Sequence, residues 1–134
     1  MIVRPLAPVR RFTRHVVRAH GEAVTTRDFR LLGRLVLDAS AEGCLLACDD
    51  GVTIGDDVIL TFRVPGSSEW FDAEARVARI VEGNRYGDPG YCAGLVYTRF
   101  DRRERLALGV DLRSFPLVPA QRSYKFRLRD VRPR

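Results

Sequence analysis

Apolar and polar positions alternate most clearly in the middle of the chain. Val58, Leu60, Phe62 and Val64 interleave with Ile59, Thr61 and Arg63, the period of two of a half-buried strand. Pro65-Gly66-Ser67-Ser68 follows as a hairpin turn. Residues 69–82 predict the next strand, with Ala73, Ala75 and Val77 on one face and Glu74 and Arg76 on the other. Asp72 and Glu74 are then outward strand residues. Upstream, Val16, Val17 and Val24 flank a break at Gly21-Glu22. Residues 29–37 form a long apolar run whose Gly33 predicts a bend or bulge. Asp38 to Gly43 reads as a turn, and residues 44–48 as a short strand ended by Asp49-Asp50-Gly51. After a polar loop from Gly83 to Gly90, residues 91–99 predict another strand.

The period then changes. Asp101 to Val110 predicts a helix, with Asp101 as N-cap and Glu104 at capping-box spacing. Leu106 and Val110 are expected to share its apolar face. Beyond it, Tyr124, Phe126 and Leu128 alternate with Lys125, Arg127 and Arg129, a basic tail with the pattern of an extra strand. Together these signals predict a mainly β chain, a closed antiparallel barrel followed by a helix and a basic tail.

Composition narrows the class. The 134 residues fit one domain, and 46% hydrophobic with 30% charged residues is an ordinary globular balance. No apolar run reaches membrane-spanning length, and Arg4, Arg10, Arg11 and Arg14 interrupt any secretory signal. A cytoplasmic location is expected. Three cysteines, Cys44, Cys48 and Cys92, make an odd count. Cys44 and Cys48 on one strand would lie about 13 Å apart, too far to bridge. They are read as buried thiols. His15 and His20 complete no zinc spacing, and Asp49, Asp50, Asp56 and Asp57 lack the spacing of a calcium loop. No metal and no cofactor is expected. No Ser/His/Asp or Cys/His order suggests a nucleophile, so an enzyme is not expected. The only tryptophan, Trp70, is expected to pack at the start of its strand.

Charge points to an anionic partner. The net charge is +6, and all but Lys125 of the 23 basic residues are arginine. Guanidinium groups fork onto phosphates and stack on planar rings. Two short patterns concentrate this chemistry: Arg10-Arg11-Phe12-Thr13-Arg14 in the N-terminal stretch, and Asp38-Ala39-Ser40-Ala41-Glu42-Gly43 between two apolar runs. By itself the second pattern is a well-made turn, in which Asp and Ser satisfy backbone groups and Gly tolerates a positive φ.

In that order the two patterns resemble the PilZ family, which pairs an Arg-x-x-x-Arg arm with an Asp/Asn-x-Ser-x-x-Gly turn. The resemblance extends through Tyr91-Cys92-Ala93-Gly94-Leu95-Val96-Tyr97 to the Asp-Arg-Arg-Glu-Arg helix start, about residues 10–112. It implies a six-stranded antiparallel PilZ-like barrel with a C-terminal helix. Residues 1–14 would be an arm, 15–112 the barrel with its helix, and 113–134 a basic tail or extra strand. It also implies a bacterial receptor for cyclic di-GMP that closes its arm on the ligand and signals to an effector protein, so far unidentified. The implied ligand-binding residues are Arg10, Arg11, Arg14, Asp38, Ser40 and Gly43. The chemistry agrees, because an arginine fork matches guanine O6 and N7 and a carboxylate accepts from guanine N1–H and N2–H.

Two positions depart from the family pattern. PilZ domains often carry a tryptophan in the fifth strand that stacks on guanine, and Arg79 stands near that place. Arg79 shares parity with Ala73, Ala75 and Val77 and is expected on their side of the strand. There it would serve as a stacking plate or, as a strand-end arginine, reach solvent. Val9 precedes Arg10 where some members have a further arginine, which favours one bound ligand molecule over an intercalated pair. Two other readings stand beside the receptor: a basic barrel binding nucleic acid through its tail, and a PilZ-like scaffold that has lost the ligand. A homodimer through the tail's apolar face is a further expectation.

Overall fold

The computed structural model describes residues 13–48, 51–82 and 91–118. Among them six strands and one helix follow in the order β1 (His15–Thr25), β2 (Leu31–Ala39), β3 (Gly43–Cys48), β4 (Asp57–Arg63), β5 (Phe71–Glu82), β6 (Tyr91–Phe100) and α1 (Arg102–Leu112). The strands close into a barrel in the lateral order β1-β2-β3-β6-β5-β4, and each neighbouring pair is antiparallel. Closure leaves no free sheet edge. The mainly β, six-stranded barrel with a following helix is therefore the architecture expected from the hydrophobic pattern and the resemblance.

Strand periodicity is obeyed where it was strongest. Val58, Leu60, Phe62 and Val64 are buried, while Ile59 and Arg63 between them are exposed. The rings of Phe62 and Phe71 lie 5.7 Å apart, and Phe71 meets Phe100 edge-on at 6.4 Å. These aromatics share one core cluster with Leu108 and Leu112 of α1. Gly33 sits in an irregular stretch of the β1–β2 ladder, as its place in the apolar run suggested. A Cβ there would stand 2.2 Å from the Ala47 carbonyl oxygen, so only glycine admits this close approach. Cys44 and Cys48 share β3, and no disulfide joins the three cysteines.

Three expectations need correction. The helix buries Leu108 and Leu112, whereas Leu106 and Val110 are 65% and 56% exposed. The sequence offers two apolar pairs at i, i+4 spacing, offset by two residues and so on nearly opposite faces. The barrel takes the second pair. Glu104 does not reach back to the N-cap: Asp101 caps the helix by accepting from the Arg103 and Glu104 amides, while the Glu104 carboxylate accepts from the Asp72 amide at 3.2 Å. Trp70 is not packed. It precedes β5, is 52% exposed and carries the Arg63 guanidinium 5.6 Å from its ring centre. The tail from residue 119 on, with Tyr124, Phe126 and Leu128, lies outside the described residues.

The segment after α1 returns to the start of β1. The Val16 amide donates to the Pro116 carbonyl at 2.8 Å and the Val118 amide to the Arg14 carbonyl at 2.9 Å. Leu117 forms an antiparallel bridge with His15. Residues 14–16 are thereby held on both sides, by β2 within the barrel and by this returning strand.

Candidate functional site

The Asp-x-Ser-x-x-Gly stretch straddles two strand ends rather than forming one long turn. Asp38 and Ala39 close β2, Gly43 opens β3, and only residues 40–42 lie between. Ser40 builds the corner. Its amide donates to the Gly43 carbonyl at 2.9 Å, and its buried hydroxyl accepts from the Glu42 and Gly43 amides at 3.0 and 3.3 Å. This is the local side-chain to backbone bonding that makes serine a turn residue.

Gly43 has a different reason from the one its turn position suggests. Its φ is not positive; among the described residues the glycines with positive φ are Gly51, Gly55 and Gly66. Instead a Cβ at Gly43 would lie 2.1 Å from the Leu95 carbonyl oxygen. The glycine lets β3 start close against β6, and the bulk it avoids is the barrel's own backbone.

Asp38 pairs with Leu45 across the β2–β3 ladder, while its neighbour Ala39 pairs with Cys44. Ala39 and Cys44 belong to the core, so Asp38 and Leu45 face the barrel exterior. Asp38 is nevertheless only 6% exposed. Arg14 covers it, with Nε 3.4 Å from Oδ1. Arg14, just before β1, and Asp38, on the adjacent β2, are therefore brought together: Val16, two residues after Arg14, pairs with Asp38. Arg10 and Arg11 lie outside the described residues.

The exterior row continues across the sheet. Leu45 pairs with Gly94, and Gly94 pairs with Arg79. Asp38, Leu45, Gly94 and Arg79 thus stand side by side on four adjacent strands, spanning about 14 Å at ordinary strand spacing. Arg79 reaches this row by a route its sequence parity did not suggest. The β5–β6 register shifts between Val77 and Arg79, a bulge that places one additional residue, Ala78, on β5. Val77 is buried and Arg79 is exposed. The expected core-side placement of Arg79 is thereby corrected. Its stem runs over Gly94, where a Cβ would meet Arg79 Cγ at 2.8 Å.

Beneath the turn sits a polar pair that the sequence reading passed over. The Cys44 thiol and the Tyr97 hydroxyl are both buried. Burial, and then the negative charge of Asp38, push the Cys44 thiol up to about 12, against the opposing effects of Tyr97 and Arg14. Burial is also the main cause of a Tyr97 hydroxyl held well above its ordinary range. Neither group ionises near neutral pH, so Cys44 supplies no thiolate nucleophile. Among the described residues no group of three or more His, Cys, Asp or Glu side chains could hold a metal ion. No helix among them is long and apolar enough to cross a membrane.

A second residue was also missed. Arg105 of α1 donates from Nη1 to the Ala41 carbonyl at 3.0 Å. The Tyr97 amide donates to the next carbonyl, that of Glu42, at 3.0 Å. Only the Asp-Arg-Arg-Glu-Arg helix start hinted at Arg105, and no spacing links it to a turn 64 residues away.

A family model described as PilZ domain matches residues 8–112. Two solved structures share the fold. "Structure of Bacillus subtilis Inhibitor of motility (MotI/DgrA)" is 19% identical, with a TM-score of 0.64 over 79% of this chain and 50% of that one. This chain thus spans about half the length of the Bacillus protein. "PilZ domain with c-di-GMP of YcgR from Escherichia coli" is 14% identical, with a TM-score of 0.62 over 91% of this chain and 98% of that one. No curated protein matches the sequence.

Proposed function

The chain belongs to the PilZ domain family, and from that premise we propose that it is a cyclic di-GMP receptor that carries out no catalysis. The observation that carries this reading is the Arg14–Asp38 ion pair at 3.4 Å. It joins the two halves of the family motif, the arginine arm and the Asp-x-Ser-x-x-Gly corner, on one exterior surface. The Escherichia coli neighbour, a PilZ domain with c-di-GMP, has the same fold over nearly its whole length.

Each residue takes a distinct part in this reading. Asp38 accepts from guanine N1–H and N2–H, and Arg14 forks onto guanine O6 and N7 or onto a phosphate. Arg10 and Arg11 close over the ligand from the arm. Ser40 and Gly43 act chiefly by fixing the corner that presents Asp38. Arg79, at the far end of the exterior row, offers a planar guanidinium to a base in place of the family's tryptophan. Leu45 lies between Asp38 and Arg79, and the Arg79 stem covers Gly94. One ligand molecule per chain is expected, and the closed arm presents the signal to an effector protein. A cytoplasmic, bacterial setting belongs to the same reading, since that is where the messenger acts.

Calorimetric titration of cyclic di-GMP into the full chain tests it, with GTP and linear diguanylate as controls. Saturable, selective binding at one ligand per chain is expected, lost in Arg14→Ala and Asp38→Ala. A folded protein that gives no heat at high micromolar ligand would overturn the receptor reading. Two ligands per chain would overturn the stoichiometry alone.

A further inference from the structure

Arg105 is the one side chain of α1 seen to reach into the corner that presents Asp38. It stands at the end of the first helical turn, where its amide donates to the Asp101 carbonyl at 2.8 Å. Its guanidinium lies 5.6 Å from the centre of the Phe100 ring and donates to the Ala41 carbonyl at 3.0 Å. Its charge is felt at Tyr97, where it favours the ionised hydroxyl. The same side chain therefore touches the turn, the end of β6 and the helix. Tyr97 bonds the next carbonyl of the turn, so residues 41 and 42 are held from below by β6 and α1 together.

That arrangement has a consequence for a ligand on the corner. The Ala41 carbonyl lies between Ser40 and Glu42, inside the Asp-x-Ser-x-x-Gly stretch. A ligand that grips Asp38, at the start of this corner, restrains it, and the restraint passes to the guanidinium that Ala41 holds. A helix of 11 residues is marginal by itself and depends on its anchors. Leu108 and Leu112 anchor its buried face, and Arg105 anchors it to the corner. Local opening of such an element responds to the loss or gain of one anchor.

Resting on the receptor reading, we propose that Arg105 is a positioning residue that couples ligand occupancy of the corner to the stability of α1. It touches no ligand itself. It sets the corner in the free protein, and it tightens the helix when the corner is filled. The helix then carries the signal on its exposed face, where Leu106 and Val110 stand between Arg102 and Arg113.

The test combines calorimetry with amide hydrogen exchange on the full chain. In the wild type, saturating cyclic di-GMP is expected to slow exchange of the α1 amides. Arg105→Met is expected to weaken binding by about tenfold to a hundredfold, the loss of one hydrogen bond from a charged group. At saturating ligand its α1 amides are expected to exchange as in the free protein. Arg105→Lys, which keeps a charge and a donor, should recover most of both effects. Arg102→Met, an exposed change on the same helix, should alter neither. A merely structural Arg105 would lower the melting temperature of Arg105→Met yet leave the ligand-induced slowing of α1 intact, and that result would overturn the proposal. So would wild-type binding with no change in α1 exchange. Absence of binding in the wild type would instead sink the receptor reading, and this inference with it.

Discussion

On the receptor reading Asp38 has two tasks, and one pair of substitutions separates them. In the free protein its carboxylate faces the Arg14 guanidinium at 3.4 Å, with side-chain exposures of 8% and 15%. At an effective dielectric of about 20 the attraction across that distance is about 5 kcal/mol. Most of it is offset by the desolvation of two largely buried charges, leaving a net contribution of about 2 kcal/mol. Asp38→Asn removes the charge and keeps the shape and a carbonyl acceptor. It should lower the melting temperature by roughly 6 °C for a domain of this size. Asp38→Ala should lower it by at least as much.

Binding should discriminate between the two variants. An asparagine carbonyl still accepts one hydrogen bond from the guanine edge, and the family turn itself admits Asp or Asn. Asp38→Asn should therefore lose no more than about tenfold in affinity for cyclic di-GMP. Asp38→Ala accepts nothing and should lose a hundredfold or more, roughly 3 kcal/mol. Differential scanning calorimetry and isothermal titration on the same samples give both numbers. If Asn proves as damaging to binding as Ala, then acceptance from the base is not what Asp38 does. If Asn leaves the melting temperature unchanged, the ion pair contributes nothing to stability.

Other consequences are equally direct. Gly43→Ala, with its Cβ 2.1 Å from the Leu95 carbonyl oxygen, should force β3 and β6 apart and cost about 1–3 kcal/mol in urea unfolding. Leu108→Ala should cost about 2–5 kcal/mol, whereas Leu106→Ala should stay within about 0.5 kcal/mol; equal costs would contradict the assignment of the buried helix face. Cys44 ionises at an ordinary value of 9.0 once unfolded and at about 12 in the fold. The unfolded chain therefore releases its proton first, so stability is complete below about pH 9 and is lost as pH rises toward 12. Urea midpoints at pH 7 and pH 10 should show this fall, and Cys44→Ala should flatten it. Arg79→Ala should weaken cyclic di-GMP binding without moving the melting temperature, because the side chain is exposed; unchanged affinity would remove Arg79 from the site.

The sequence was most informative where one physical rule acted alone. Val58 to Val64 alternates because β4 has one face in the core and one outside, and nothing interrupts it. The motif residues were legible for a similar reason: serine and glycine at fixed offsets between apolar runs have few other uses. It failed where a choice depended on distant partners. Arg79 follows Val77 by two residues, but a single extra residue on β5 moves it to the other face, and Val-Ala-Arg carries no sign of a bulge. In α1, Leu106/Val110 and Leu108/Leu112 are equivalent pairs until packing against the core selects between them. Trp70 looked like a strand residue because tryptophan favours strands, yet its neighbour Phe71 takes the core position. Arg105 was invisible because its partner is a backbone carbonyl, and carbonyls leave no mark in a sequence.

The corner between β2 and β3 serves the fold before it serves any ligand. Ser40 bonds the Glu42 and Gly43 amides, and Gly43 admits the Leu95 carbonyl. Both would be needed in a barrel that bound nothing. The match to the family's turn at Ser40 and Gly43 therefore argues mainly for the fold. Asp38 and Arg14 argue for more. A barrel exterior can bury a leucine at the Asp38 position at no electrostatic cost, whereas an ion pair there repays its desolvation only partly. On the receptor reading such a pair suits a partner that offers both hydrogen-bond donors and negative charge, and a guanine nucleotide offers both. A double-mutant cycle on Arg14 and Asp38 decides whether this holds. Removing both charges together, as Arg14→Met with Asp38→Leu, should restore most of the stability lost in either single variant and none of the binding. Stability that stayed low in the double variant would mean the pair exists for the barrel. Binding that survived would mean the ligand site lies elsewhere.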